Sequence, residues 1–240
     1  MTSSVICITG ASQGIGRGIA DYFTKLGHCV FNLDVNPSPD SSEALKSLYL
    51  DITDDAACNT SFAQIAAVHG RIDALINCAS IFSTLTMKPF WEIESADWDQ
   101  VINVNLKGTF NTCKAALPWL KRSGMGRIIN FSSAVVPMGR PNYLHYVSSK
   151  AGVQGLTRAM AREVGDFDIT VNAILPGATV TEVPRETVSP EQMKAMIQAR
   201  CIKRPQEVSD LTGLVGFLCS DEAGFITGQS FVVDGGLVVT

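Results

Sequence analysis

Tyr146 and Lys150 stand one helical turn apart in the run Y-V-S-S-K, which places a phenol and an amine on one helix face. A free phenol titrates near pH ~10, and a neighbouring ammonium stabilises its phenolate, so such a pair can exchange a proton nearer neutrality. Pairs of this spacing are also common as plain surface contacts. The residues ahead of it raise its weight: the strand-like run G-R-I-I-N-F-S-S ends in Ser133, so a hydroxyl arrives at a strand end shortly before the helix that carries Tyr146.

A second cluster lies near the N-terminus, where G-A-S-Q-G-I-G, residues 10 to 16, follows V-I-C-I and Thr9. Gly10, Gly14 and Gly16 are spaced four and then two apart, unlike the two-then-three spacing of the common dinucleotide fingerprint. Glycine permits positive φ and lets backbone N–H groups approach a phosphate with no Cβ between them. A helix beginning near Ile15 adds the partial positive charge of its N-terminus. The loop can therefore hold a pyrophosphate, although glycines alone fit a ligand-free strand-to-helix turn equally well. The next strand tips the balance, because C-V-F-N-L-D ends in Asp34, where an acidic group can accept hydrogen bonds from ribose hydroxyls. A carboxylate there repels a 2′-phosphate, and the following V-N-P-S-P brings no Arg or Lys. NAD is expected rather than NADP.

These residues need a frame that delivers strand ends to one edge. Short apolar runs recur at 5–8, 29–33, 47–50, 74–77, 127–131, 169–174 and 230–233, most of them apolar on both faces as buried parallel strands are. Helix-length segments lie between them at 15–26, 54–68, 96–120, 143–164 and 207–219. The alternation predicts an α/β fold, with a doubly wound parallel sheet flanked by helices on both faces and ligands bound where strand order reverses. Residues 1–240 read as one domain, without repeats or linkers. The stretch 177–204 reads as a loop followed by a short helix, long enough to serve as a substrate lid.

Composition closes off other classes. The 240 residues carry 19 Lys and Arg against 23 Asp and Glu, a net charge of −4, with a pI near 5.4, so nothing attracts nucleic acid or an anionic lipid surface. Mean hydropathy is +0.17, yet no apolar run approaches the roughly 18 residues of a membrane span. The start M-T-S-S-V-I-C-I has no signal-peptide pattern, and a cytoplasmic location is expected. The seven cysteines, at 7, 29, 58, 78, 113, 201 and 219, include no C-x-x-C pair and read as reduced core residues. The three histidines, His28, His69 and His145, fall at no metal-ligand spacing, so no metal site is expected.

Taken together in order, the motifs resemble the short-chain dehydrogenase/reductases of the classical type over nearly the whole chain. T-G-A-S-Q-G-I-G is similar to that family's T-G-x-x-x-G-x-G coenzyme loop, which implies contacts from Gly10, Ser12, Gln13, Gly14, Ile15 and Gly16. Asp51 and Ile52 match the adenine contact, and N-C-A-S matches the N-N-A-G segment, implying Asn77 and Ala79. P-G-A-T-V-T matches the nicotinamide segment through Pro176, Gly177, Thr179 and Thr181, and T-G-Q-S-F-V-V-D-G-G matches the last strand. By the same resemblance the fold is Rossmann-type with seven strands. Tyr146 is the acid/base and Lys150 lowers its pKa and binds the nicotinamide ribose. Ser133 polarises the substrate oxygen, and Asn105 in N-V-N-L holds water in a proton relay.

The resemblance implies interconversion of a secondary alcohol and a ketone, and assembly as a homotetramer through the long helices and the last strand. Departures from the pattern are Cys78 and Ser80 in N-C-A-S, and Thr179 where a branched apolar residue is usual. Ser80, Phe82, Val135, Met138 and His145 are expected at the substrate, His145 against either substrate or a neighbouring element. The largely apolar mix around them suits a modest apolar or aromatic alcohol or ketone. The 3-oxoacyl-[acyl-carrier-protein] reductases, mostly NADP-linked, share every motif and are the alternative. An acidic carrier would want basic residues at the entrance, for which Arg140, Arg185, Arg200, Lys203 and Arg204 are the candidates. A non-catalytic NAD(H)-sensing or scaffold protein is the reading from a different class.

Overall fold

A computed structural model describes residues 3–36, 44–184 and 187–239. Seven strands run in the order β1 (Val5–Thr9), β2 (Cys29–Asp34), β3 (Leu45–Tyr49), β4 (Ala74–Asn77), β5 (Arg127–Phe131), β6 (Thr170–Pro176) and β7 (Ser230–Val233). They form one sheet, ordered β3-β2-β1-β4-β5-β6-β7, in which every pairing is parallel. The helices are α1 (Gly14–Lys25), α2 (Asp55–His69), α3 (Ser95–Ile102), α4 (Thr109–Leu120), α5 (Val135–Met138), α6 (Leu144–Val164), α7 (Pro190–Ala199) and α8 (Ser209–Leu218). The doubly wound seven-stranded fold expected from the alternation is the fold observed.

Alternate strand residues feed two cores. Val5 and Cys7 of β1 join Phe62, Ile65, Leu120 and Val164 beneath α2, α4 and α6, while Ile6 and Ile8 join Ile19, Phe23, Leu211 and Val215 beneath α1 and α8. α1 shows how its sequence does this: Gly16, Ile19, Ala20 and Phe23 recur at the spacing that puts one helix face against the sheet, and all four are buried. Burial pushes the thiols of Cys58, Cys113 and Cys219 up to about 12 and that of Cys7 higher still, whereas Cys201 lies at the surface.

The single helix expected over 96–120 is interrupted. Between α3 and α4 the chain takes a wider π turn at Asn103–Gly108, a local irregularity that recurs at functional sites. Within the 177–204 stretch, the described residues before Ser189 hold no helix or strand, and α7 follows, begun by Ser189 and Gln192 in a capping box with Pro190 at the first turn. Among the described residues no helix is long and apolar enough to cross a membrane, and no group of His, Cys, Asp or Glu is arranged to hold a metal ion.

Candidate active site

The sheet turns back on itself between β1 and β4, and there a cleft of about 840 Å³ opens at the carboxyl ends of the strands. One end is built by the glycine loop. Gly10 has a φ of +67°, and a Cβ on it would stand 2.6 Å from the Ala79 Cα, while a Cβ on Gly16 would collide with the Gly10 carbonyl oxygen. Only glycine lets α1 start this close to the strand. Asp34 closes the same end and is itself held in place: its carboxylate accepts the Ser12 N–H at 3.1 Å and the Asn36 N–H at 2.9 Å. Asn32, buried one β-step before it, accepts the Ala11 N–H and donates to Ser12 Oγ. Asp51 is braced by the N–H and hydroxyl of Thr53.

At this glycine end an acidic side chain has come from far along the chain. Glu182 Oε1 accepts the Gly14 N–H at 2.7 Å, and Val183 lies over the glycine, its Cγ2 3.3 Å from where a Cβ would be. A carboxylate on the first N–H of a helix is the interaction that a phosphate group would make there.

The other end gathers Ser133, Tyr146 and Lys150 on one wall. Ser133, just beyond β5, receives the Val135 N–H on its oxygen at 3.4 Å, which leaves its own proton to be donated elsewhere. Lys150 Nζ lies 5.7 Å from the centre of the Tyr146 ring and donates to the Phe131 carbonyl at 2.9 Å. Burial pushes the Lys150 ammonium down to about 8, with Cys78 pulling weakly the other way. Burial also raises the Cys78 thiol well above the ordinary range, so this cysteine in the coenzyme segment is an uncharged packing group. Tyr146 is stacked on Tyr143, centroids 4.6 Å apart and planes at 27°.

The cleft is lined by Gly10, Gln13, Gly14, Ile15, Gly16, Asp34, Asp51, Ile52, Ala79, Pro176, Gly177, Thr179 and Thr181 at the coenzyme positions, and by Ser80, Phe82, Val135 and Met138 at the substrate positions. Four other expected residues are placed differently. Ser12 meets Asp34 through its N–H and Asn32 through its hydroxyl, behind the lining. Asn77 points beneath the sheet edge, accepting from Thr112 Oγ1 at 2.8 Å and donating to Asn130 at 2.9 Å, while Asn130 donates onward to Thr157. Its amide is spent on joining α4, β4, β5 and α6 as a buried strut, and its side chain stands behind the cleft lining.

Asn105 is wholly buried in the π turn. Its amide accepts the Ile81 N–H at 2.9 Å and donates to the Ile81 carbonyl and to Ser149 Oγ. Both amide protons are therefore committed, and its side chain clamps the loop after β4. His145 is buried away from the cleft and meets the edge of the Tyr143 ring. Burial lowers its pKa, with Asp97 and Lys88 of the neighbouring Lys88–Asp97 ion pair acting in opposite senses. Its ring contact is with the residue that caps its own helix.

Sequence reasoning missed Tyr143, Asn32 and Glu182, and it placed Arg140 at the entrance for a carrier. Arg140 lines the substrate end, donates to the Thr187 carbonyl at 2.6 Å and lies 5.6 Å from the Tyr143 ring centre. Of the other entrance candidates, Arg200 is buried and donates to the Ala178 and Arg204 carbonyls, Arg204 pairs with Asp210, Lys203 is exposed, and Arg185 lies outside the described residues.

Known proteins share the frame. A family model described as enoyl-(acyl carrier protein) reductase matches residues 10–238. The 3-oxoacyl-[acyl-carrier-protein] reductase of Staphylococcus aureus is 36% identical over 251 aligned positions, which span 99% of this chain and 98% of that one. The chain belongs to the short-chain dehydrogenase/reductase family. The same-named enzyme of Thermotoga maritima is 34% identical to this dehydrogenase/reductase over 100% of the chain and 99% of the relative. Among solved structures, 3-ketoacyl-(acyl-carrier-protein) reductase from Brucella melitensis, complexed with NADH, superposes with a TM-score of 0.89 at 27% identity, covering 98% of each chain. A 4-hydroxyisoleucine dehydrogenase, also complexed with NADH, gives 0.86 at 31%, covering 98% of this chain and 99% of the other. Membership makes the protein an oxidoreductase that uses a nicotinamide coenzyme, and the glycine cradle, whose Cβ-free surface faces the cleft, fits such a group.

Proposed function

We propose that this enzyme reduces the ketone of a 3-oxoacyl thioester to the secondary alcohol with NADH, and oxidises the alcohol in reverse. The presence of Ser133, Tyr146 and Lys150 in the cleft that the glycine loop also lines carries the reading. The substrate class is supported by the names of the curated relatives, and NADH by the Asp34 carboxylate at the ribose end of the cleft. Gly10, Gly14 and Gly16 hold the pyrophosphate, Asp34 the adenosine ribose, Asp51 and Ile52 the adenine side, and Pro176, Gly177, Thr179 and Thr181 the nicotinamide side.

When bound, the nicotinamide supplies or takes up the hydride at the substrate carbon. Ser133 donates a hydrogen bond, keeping its proton, to the carbonyl oxygen, where negative charge grows as the hydride arrives, a contribution on the order of 3 kcal/mol. Tyr146 passes its phenolic proton to that same oxygen, becoming phenolate. The Lys150 ammonium stabilises the phenolate, which eases release of the proton near neutral pH and lets the phenolate act as base in the reverse direction; after alcohol release the phenolate regains its proton from water. Asn105 and Ser149 fix the Ser80–Ile81–Phe82 wall that limits where the carbonyl sits. Assembly as a homotetramer belongs to this reading, and light scattering of the purified protein tests it.

A second reading, a free apolar ketone or secondary alcohol as substrate, is favoured by one observation. Arg140, Arg200 and Arg204, candidates for docking an acidic carrier, are engaged within the fold. The deciding experiment follows reduced-nicotinamide absorbance with acetoacetyl-CoA and with acetophenone, each against NADH and NADPH. Turnover of acetoacetyl-CoA with NADH supports the first reading. Turnover of acetophenone alone moves the assignment to the second, and a preference for NADPH removes Asp34 as selector. NADH binding with no turnover of any ketone or alcohol would leave the sensing protein as the better reading.

A further inference from the structure

Tyr143 is the last non-helical residue before α6, with φ −143° and ψ 28°, and Tyr146 follows in the first turn. Their rings stack, although both residues line the cleft rather than the interior of a core. The Tyr143 hydroxyl donates to the Phe82 carbonyl, on the wall that Asn105 grips one residue earlier. The Arg140 guanidinium lies over the Tyr143 ring and the Lys150 ammonium over the Tyr146 ring. Arg140, Tyr143, Tyr146 and Lys150 thus form one column along the catalytic wall, and Tyr143 is 2% exposed within it.

A tyrosine side chain has only two soft dihedrals, so a ring packed flat against it determines where its hydroxyl lies. We propose that Tyr143 is a positioning residue for the reaction, its stacked ring aiming the Tyr146 hydroxyl at the substrate oxygen and its own hydroxyl tying that aim to the Phe82 wall. The inference rests on Tyr146 being the acid/base of the reaction. Tyr143 itself donates no proton to substrate, since its hydroxyl is directed to the Phe82 carbonyl. What it controls is the distance over which Tyr146 must pass one, and proton transfer from a positioned group falls off steeply with misplacement.

The test compares Tyr143→Leu, Tyr143→Met and Tyr143→Phe in ketone reduction with NADH, using whichever of acetoacetyl-CoA and acetophenone the parent turns over, beside NADH titrations by fluorescence. Loss of the ring should lower kcat roughly 10- to 100-fold, as misplacement by about 1 Å does, with NADH affinity held within about twofold. Tyr143→Phe, which keeps the stack, should restore most of kcat. Methionine serves as a second ringless variant should leucine impair folding. Unchanged kcat in the ringless variants would overturn the inference. So would equal loss of kcat and NADH affinity, or a Tyr143→Phe as poor as Tyr143→Leu. Tyr146→Phe, run in parallel, separates the two claims: if it stays active, the acid/base reading falls and this inference with it, whereas an inactive Tyr146→Phe beside a fully active Tyr143→Leu removes only the inference.

Discussion

Replacing Lys150 with methionine should make the fold more stable near neutral pH while removing turnover, and the gain should vanish in alkaline solution. Lys150 is 3% exposed, and burial pushes it from 10.5 to about 8. At about 1.4 kcal/mol per pH unit of displacement, keeping this ammonium charged below pH 8 costs the folded state about 3 kcal/mol. Against that stands the bond from Nζ to the Phe131 carbonyl, whose loss strands a buried acceptor at about 1–3 kcal/mol. The net expectation near pH 7 is a stabilisation of about 0–2 kcal/mol. The pH dependence is the sharper test. Because the folded value lies below the unfolded one, the unfolded chain binds more protons between about 8 and 10.5. The parent therefore gains stability as pH rises through that window, and the methionine variant lacks this gain. Urea unfolding of both proteins, followed by tryptophan fluorescence from pH 7 to pH 10.5, should show the parent recovering most of about 3 kcal/mol relative to the variant. Other groups titrate alike in both and cancel. A difference that stays flat, or that moves in the variant's favour as pH rises, would refute the claim that the catalytic wall holds a strained cation.

Two further expectations come from side chains that the fold reassigns. Glu182→Gln should tighten NADH roughly two- to fivefold, since a carboxylate on a helix-terminal N–H is worth about 0.3–1 kcal/mol and would have to leave for a phosphate; a fluorescence titration showing weaker binding would mean that Glu182 supports the bound state. Asn77→Ala should cost about 1–3 kcal/mol in urea unfolding by taking the amide donor from the buried Asn130 Oδ1, Thr112 keeping the Thr109 carbonyl as its acceptor, with NADH affinity within about twofold of the parent. A selective loss of NADH affinity with unchanged stability would restore the coenzyme contact read from the motif.

What could be read in the chain, and what could not, divides by how far each cause reaches. The glycine loop was legible because its demand is local: Gly10 and Gly16 are needed wherever a strand end meets a helix start over a phosphate. Parallel strands were legible from runs apolar on both faces, and Tyr146 with Lys150 from a spacing of one turn. Asn77, Asn105 and His145 could not be placed, because a buried amide or imidazole turns toward whatever partner tertiary packing brings, and those partners lie on other elements. The π turn at Asn103–Gly108 has no sequence breaker. At its far end Gly108 packs against Ile52, where a Cβ would stand 2.5 Å from Cδ1, a contact visible only once α4 is docked. Glu182 meets Gly14 from 168 positions away, beyond any local pattern.

The strand order also prescribes how the molecule can be assembled. β1, β2 and β3 lie side by side toward one edge, after which the chain returns to the middle, where β4 takes the open flank of β1 and the remaining strands extend toward the other edge. During synthesis, the half that carries the glycine loop and Asp34 is complete before residue 50, while the inner flank of β1 waits for residues 74–77 to pair with it. None of the seven strands pairs through a hairpin, so each addition requires a crossover, and such long-range parallel pairing is slow to form. The nucleotide half can thus be ordered while the half that holds Ser133, Tyr146 and Lys150 is still being made, with an unpaired central strand exposed in the interval.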